Sequence, residues 1–408
     1  MSDSASRRTF IAATGMAAAH VWVPTGARGY SAAEMRAMES TIGVSKWELD
    51  TPALCVDLGA LEGNITTMQG RLAAKGLGAR PHAKTHKSAD IAKKQLAAGA
   101  LGICTSKVSE AEALMAAGID RICMTTTNPS PSKIRRALAL SAKSAQFIHA
   151  VDEEKNARDL SAAAKAAGLT ASVVIDVAVG TRSGIPAGDS AIALAELVST
   201  LPNLLLRGML SYDGGAQHIT GFATRRSTAL ANLEANVGVF EALKKKGLPT
   251  EIFSGGGTGT YNIQHEVPGF TDVQVGSYLF MDMQYLAIGN AAGGVVYDDF
   301  ARSLTVLATV LNNRFPNRLT TDAGAKALTL NVPRAGVVGE PEMDYNAGSD
   351  EFGVITFKTA RKSYAIGDKL ELVVPHCDPV VNLYDQMYGI RKDRVEVVWP
   401  ITARGKSQ

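Results

Sequence analysis

From Thr51 onward the chain repeats one beat. A short run of apolar, often β-branched residues is followed by a longer stretch whose apolar positions recur at helical spacing. The pattern predicts a strand at Ala53–Asp57 and a helix over Leu58–Lys75. A strand over Arg80–Thr85 then feeds an amphipathic run from Ala89 to Ala98. The beat continues with Gly102–Ser106 and Val108–Ala117, and with Arg121–Thr126 and a helix over Ser132–Lys143 opened by Pro131. Gln146–Val151 pairs with Glu153–Ala167, Ala171–Val177 with Ser190–Leu201, and Leu204–Ser211 with Ala223–Lys246. Strand candidates at Thr250–Ser254 and Asp272–Leu279 complete the series. Strands alternating with helices give a parallel sheet, and about eight such units fit a closed (β/α)8 barrel better than an open sheet.

Past about residue 300 the helical stretches stop. Ser303–Leu311, Arg318–Thr321, Ala327–Leu330, Phe352–Thr359, Lys369–Val374 and Val395–Trp399 read as strands joined by turns. The fold class is therefore α/β, a barrel followed by an all-β C-terminal domain. The expected boundaries are 51–300 for the barrel and 301–408 for the β domain. The Ala53 strand is expected to join the second domain and close the chain on itself.

Residues 1–50 do not share this rhythm. Ser6-Arg7-Arg8-Thr9-Phe10-Ile11 is a twin-arginine pattern, and the Ala-rich stretch from Phe10 to Val23 contains no acidic residue. That stretch is too short for a comfortable membrane span. Residues 1–30 are read as a twin-arginine export signal and 31–50 as a polar connector. The expected location is the periplasm, reached already folded, or the cytoplasm if 1–30 is only a basic tail.

Composition narrows the partners. A net charge of +3 and 6% aromatic residues argue against nucleic acid and against an acidic membrane surface. The four cysteines (Cys55, Cys104, Cys123, Cys377) show no CxxC spacing and read as buried thiols.

Candidate chemistry clusters just after predicted strands, where a barrel keeps its site. In Arg80-Pro-His-Ala-Lys-Thr-His86, alternation along a strand would put His82, Lys84 and His86 on one face. Burial and neighbouring positive charge would lower the lysine pKa, as an amine needs if it is to condense with an aldehyde. The same residues are compatible with a surface lysine beside two turn histidines. Ser254-Gly-Gly-Gly-Thr-Gly-Thr260 could aim backbone N–H groups at a phosphate, or be a plain loop; it is neither a Walker loop nor a dinucleotide fingerprint. Arg182, six residues past Asp176, could hold a phenolate or carboxylate, or be a surface cation neutralised by that aspartate. Tyr212 could face a flat ligand at the barrel mouth, with Asp213 and His218 as weaker candidates. His376 and Asp378, in Pro375-His-Cys-Asp-Pro379, offer a nitrogen and an oxygen to one divalent cation, or form a polar turn. Two protein ligands with open positions suit Mg²⁺ or Mn²⁺ rather than Zn²⁺.

Several of these stretches, taken in order, resemble one family. Thr51-Pro-Ala-Leu-Cys-Val-Asp57, Arg80–Lys87, Ser254–Thr260, Gln274–Asp282, Asp322-Ala-Gly-Ala-Lys326 and Pro375–Asp378 are similar to the D-threonine aldolase and eukaryotic-type D-serine dehydratase family. The resemblance runs from about residue 47 to 403. It implies the alanine-racemase-like fold, pyridoxal 5'-phosphate (PLP) as cofactor, a divalent cation, a small D-amino acid substrate and a homodimer. It places the PLP lysine on Lys84, with Lys87 the competitor, and the phosphate cradle on Gly256, Gly257, Thr258, Gly276 and Ser277. Arg182 falls near the phenolic oxygen and Tyr212 near the pyridine ring. His376 and Asp378 fall on the metal pair, with Lys84 and His376 as the catalytic residues. The expected activity is retro-aldol cleavage of D-β-hydroxy-α-amino acids. The alternatives are a dehydratase giving a 2-oxo acid and ammonia, and a PLP-binding protein without catalysis. The dehydratase branch carries cysteine where Asp378 stands here, and an exported member departs from the family's usual cytoplasmic setting.

Overall fold

Eight short parallel strands, each too short to bury anything alone, are held in a ring by the helices outside it. They run β2 (Gly78–Ala79), β3 (Ile103–Thr105), β4 (Ile122–Met124), β5 (Ile148–Val151), β6 (Ala171–Asp176), β7 (Leu204–Ser211), β8 (Ile252–Gly255) and β9 (Asp272–Val273). Their lateral order is β2-β9-β8-β7-β6-β5-β4-β3. The open ends meet one step past β2, where His82 bridges Cys104 in parallel and Cys104 N donates to the Pro81 carbonyl at 2.7 Å. The architecture is a computed structural model describing residue 36 and residues 40–408. The twin-arginine segment lies outside the described residues, as does most of the connector before residue 40. No described helix is long and apolar enough to cross a membrane.

Alternation along the barrel strands sorts their side chains. Cys104, Cys123, Ile148, Ala150, Val174, Leu210 and Ile252 form a cluster of their own, the barrel interior. Their neighbours Ile103, Ile122 and Met124 pack outward against α2 (Ala89–Ala97), α3 (Val108–Ala116) and α4 (Pro131–Ser141). Ser130 caps α4 by accepting the Lys133 N–H, and Pro131 takes the first helical position, where its missing donor costs nothing. All four cysteines are buried and free. A charged group also lies in this interior. Arg80 Nε donates to Asp272 Oδ1 at 3.0 Å, and the same oxygen accepts from Ser254 Oγ at 2.5 Å. Thr271 Oγ1 donates to the other carboxylate oxygen at 2.9 Å, and Gln274 Nε2 donates to Ser254 at 3.1 Å.

The second domain is a nine-stranded sheet. Its order is β11 (Arg318–Thr321), β14 (Gly353–Phe357), β13 (Met343–Ala347), β12 (Gly336–Val337), β15 (Lys369–Val373), β10 (Leu304–Asn312), β1 (Ala53–Asp57), β16 (Gln386–Arg391) and β17 (Arg394–Pro400). Strand β1 is third from one edge, antiparallel to β10 (Ala53 opposite Leu307) and parallel to β16 (Cys55 opposite Tyr388). Asp57, its last residue, caps the following helix α1 (Leu58–Ala73) through the Ala60 N–H at 2.8 Å.

Four expectations change. The strand expected over Asp272–Leu279 ends at Val273, and Ser277–Leu279 is a 3₁₀ turn opened by Gly276. Ala327–Leu330 is not a strand: Ala325–Leu328 is a single helical turn closed by bonds to Gly324 and Ala325 carbonyls. The polar segments Met343–Ala347 and Gln386–Arg391 are strands that too few apolar residues announced. The Arg80–Thr85 segment is extended only through His82; Ala83–Thr85 is a 3₁₀ turn. The His82 ring causes the switch, because Nδ1 accepts the Lys84 N–H at 3.3 Å and so caps the turn.

Candidate active site

One cavity of about 340 Å³ opens at the carboxyl ends of the barrel strands and gathers residues from both domains. Lys84, Arg182, Tyr212, Gly257, Thr258, Gly276, Ser277, His376 and Asp378 all line it. Gly256 does not. It shapes the turn instead, at φ +59°, where a side chain would be strained and its Cβ would lie 2.8 Å from Gln264. His218 lines the cavity, whereas Asp213 is engaged behind it by Ala216 N at 3.0 Å and Asn232 Nδ2 at 2.9 Å.

The 3₁₀ turn separates the three basic residues of the lysine motif. His82 and Lys84 face the cavity, but His86 is fully buried away from it and accepts the Ser88 N–H at 3.1 Å. Lys87 is buried in an ion pair with Glu110, which leaves Lys84 as the cavity's amine. The position of the second domain is set by return contacts: Ala403 N donates to the Lys87 carbonyl at 2.8 Å, and Thr402 Oγ1 accepts the Ala89 N–H at 3.2 Å. After β15 the chain is extended at His376 and turns into α5 (Cys377–Val381), against the Ala83–Thr85 turn.

This placement brings Asp378 Oδ2 to 3.3 Å from Lys84 Nζ. The Asp378 charge raises the Lys84 pKa and outweighs the burial that lowers it, the reverse of the depression expected from two flanking histidines. Burial alone would raise the Asp378 carboxyl, but Lys84 and His376 hold it well below the usual carboxylate range. His82 is kept neutral by burial and by Lys84, and burial lowers His218 as well.

Asp282 is a site residue that sequence reasoning passed over, although it ends one of the motif stretches. Its Oδ2 accepts from His376 Nδ1 and from the Cys377 N–H, both at 2.9 Å. A carboxylate behind one ring nitrogen fixes a histidine's orientation and leaves Nε2 free to bind a cation. Burial works against a charged His376, yet the Asp282 hydrogen bond and the charges of Asp378 and Asp282 leave its pKa raised. Ligand-type atoms of Asp282, His376 and Cys377 lie within 4.8 Å of one another. Burial pushes the Cys377 thiol well above its ordinary pKa, so it is the weakest donor of the group.

The far wall carries the aromatic and cationic groups. Tyr212 directly follows β7, and the Arg182 guanidinium sits 4.9 Å from its ring centroid. Arg182 rides a loop pinned at its base by Ala178 N to the Ile185 carbonyl (2.8 Å) and Ile185 N to the Asp176 carbonyl (2.9 Å). A phosphate fits opposite. Among the described residues, the N–H groups of Thr258, Gly276 and Ser277 donate to nothing. A Cβ at Gly257 would lie 2.7 Å from Gln217 Oε1, and one at Gly276 would lie 2.5 Å from Thr85 Oγ1. A neutral cradle of free donors, an amine, and an aromatic wall with a guanidinium together suit PLP.

Comparisons with known proteins point the same way. The family profile of the alanine racemase N-terminal domain matches residues 56–284, and that of a putative serine dehydratase domain matches residues 303–390. The chain is 36% identical to a 3-hydroxy-D-aspartate aldolase of Paracoccus denitrificans (strain Pd 1222), over 89% of this chain and 94% of that protein. It is also 36% identical to a D-threonine aldolase of an Arthrobacter species, over 88% and 94%. The solved D-threonine aldolase of Filomicrobium marinum superposes with a TM-score of 0.86 at 33% identity, covering 90% of this chain and 99% of that one.

Proposed function

Because this chain belongs to the alanine-racemase-like family of D-threonine aldolases and D-serine dehydratases, we propose that it is a lyase dependent on PLP and a divalent metal. Its reaction is the retro-aldol cleavage of D-β-hydroxy-α-amino acids to glycine and an aldehyde. The observation that carries this reading is the convergence on one cavity of an amine, a phosphate-type cradle and a cation-type pair, contributed by two domains.

Each role follows from position. Lys84 is the amine that holds the cofactor, and Asp378, 3.3 Å away, is its counter-charge until the Nζ proton leaves. The backbone of Gly257, Thr258, Gly276 and Ser277 holds the phosphate, with Gly256 setting the turn. Arg182 and Tyr212 flank the ring. When bound, PLP supplies an electron sink for the pair released as the Cα–Cβ bond breaks. His376 and Asp378 would hold the divalent cation, which when bound would supply the charge that lowers the pKa of the substrate's β-hydroxyl. Asp282 keeps His376 aimed at that cation, and His218, held neutral by burial, takes the hydroxyl proton. Mg²⁺ or Mn²⁺ fits two protein donors with open positions better than Zn²⁺ does.

Dehydration is the second reading, supported by the matching serine dehydratase profile. Purified protein given D-threonine separates the two: acetaldehyde with glycine supports the aldolase, and 2-oxobutyrate with ammonia replaces it by the dehydratase. Lys84→Ala is expected to abolish the imine absorbance and the activity together, and a variant that stays yellow overturns the lysine assignment. The reading includes a homodimer. Light scattering at a single-subunit mass refutes it. It also includes export by the twin-arginine route, supported by Arg7 and Arg8. Cell fractionation that leaves an Arg7→Lys/Arg8→Lys variant and the wild type in the same compartment removes that part.

A further inference from the structure

A loop that offers its N–H groups to an anion turns its carbonyls the other way, and carbonyls turned into a protein interior need donors there. Behind the Ser254–Thr260 loop those donors come from two fully buried side chains that do not line the cavity, Arg225 and Tyr297. The Tyr297 hydroxyl donates to the Thr258 carbonyl at 2.6 Å, and Arg225 Nε donates to the Gly259 carbonyl at 2.8 Å. The Arg225 guanidinium also lies 5.7 Å from the Tyr297 ring centroid. In front of the same carbonyls, the Thr258 N–H donates to nothing among the described residues.

Arg225 stands in the first turn of the helix Phe222–Lys245. Besides Gly259, its Nη1 donates to the Ile219 and Ile288 carbonyls, each at 2.8 Å, and its Nη2 to the Gly289 carbonyl at 2.9 Å. Ile219 follows His218, and Ile288 and Gly289 come just after the turn that carries Tyr285. One guanidinium therefore ties the cradle loop to two other walls of the cavity. None of these partners is a carboxylate, and a buried charge without one is costly unless an anion elsewhere offsets it. A phosphate seated on the front of the same loop is such an anion. The cradle residues Gly257, Thr258, Gly276 and Ser277 carry no cation of their own.

Building on the lyase reading and its cofactor, we propose that Arg225, with the Tyr297 hydroxyl beside it, is a positioning residue for the phosphate of PLP. From behind the cavity the pair holds the Thr258 and Gly259 carbonyls inward and keeps the loop's N–H groups turned toward the phosphate. Arg225 also supplies the positive charge that the cradle lacks. It touches neither the substrate nor the reacting atoms.

The test compares PLP with pyridoxal, which has the same ring and aldehyde but no phosphate, in absorbance titrations of the cofactor-free full chain. Wild type is expected to favour PLP by at least roughly 100-fold. Arg225→Met removes the charge with its hydrogen bonds, and should weaken PLP roughly 100-fold while moving pyridoxal less than about three-fold. Arg225→Lys keeps the charge with fewer donors and should lose roughly ten-fold on PLP alone. Tyr297→Phe takes one hydroxyl from behind Thr258 and should lose several-fold on PLP alone. Because Arg225 also holds the segments of His218 and Tyr285, a merely structural role would weaken both compounds together. Variants that do so, or that leave PLP affinity unchanged, overturn the proposal alone. If the Arg225 variants do not fold, Tyr297→Phe decides by the same ratio. Wild type that binds neither compound ends the cofactor reading and this proposal with it, and wild type that binds both equally ends the phosphate cradle and this proposal together.

Discussion

Replacing Asp272 by alanine strands the Arg80 guanidinium inside the barrel. The Arg80 side chain is 10% exposed and that of Asp272 is 1% exposed, so water cannot take over as the partner. At 3.0 Å the pair is worth roughly 5 kcal/mol at an effective dielectric of about 20. Removing one member of a buried pair costs about 3–5 kcal/mol, because the other stays behind uncompensated. Ser254 and Thr271 lose their acceptor as well. The strands involved lead directly to Lys84, to the Ser254–Thr260 loop and to Gly276, so the damage should reach the cofactor. Urea unfolding of the PLP-free protein should show a loss of about 3–5 kcal/mol for Asp272→Ala. An absorbance titration should show PLP affinity lower by at least roughly ten-fold. An Arg80→Met/Asp272→Leu double variant should recover part of the stability, since it removes both charges. If Asp272→Ala lies within about 1 kcal/mol of wild type, the pair is not buried as described, and the argument fails.

Other outcomes follow from single contacts. Gly276→Ala places a Cβ 2.5 Å from Thr85 Oγ1 and should weaken PLP roughly ten-fold by displacing the turn that carries Lys84, costing about 1–3 kcal/mol of stability; unchanged PLP affinity contradicts the cradle. Asp282→Asn removes the carboxylate behind His376 and should weaken Mn²⁺ binding roughly 10–100-fold, read from the free-ion resonance signal; an unaltered Kd removes Asp282 from the metal site. Asp176 offers a test in pH. Its carboxyl sits near 7 when folded and near 3.8 when not, so the fold binds the extra proton and loses stability as pH rises from about 4 to 7. The loss is on the order of 4 kcal/mol at most. Asp176→Asn should therefore gain stability relative to wild type across that window and keep the gain at pH 8; a difference that is flat with pH refutes the raised carboxyl.

The barrel was legible because eight short strands cannot be buried without helices of complementary period, and both periods are written in the apolar positions. Leu204–Ser211 and Arg318–Thr321 were readable to the residue, since β-branched and apolar runs stop at clear turn signals. The Lys84 turn was not, because its conformation is set by the His82 ring capping its own backbone, a contact that strand alternation does not encode. The rise in the Lys84 pKa was equally hidden: it depends on Asp378, 294 positions away, and no local pattern joins the two. Asp282 belongs to the same class. Its residue type was in view, but its partner is His376, and only the docking of the second domain introduces them. The strand Met343–Ala347 alternates buried and exposed residues, but with Asp344 and Asn346 on its outer face its apolar signal was too sparse to stand out.

Strand β1 emerges early in synthesis, yet its two neighbours, β10 and β16, are made about 250 and 330 residues later. The growing chain therefore carries an unpaired, apolar strand until β10 is made, and its other edge stays open until β16 follows. A nascent chain in that interval exposes both edges of β1 to any passing strand, so this is the stretch that a chaperone or a misfolded dimer would seize first.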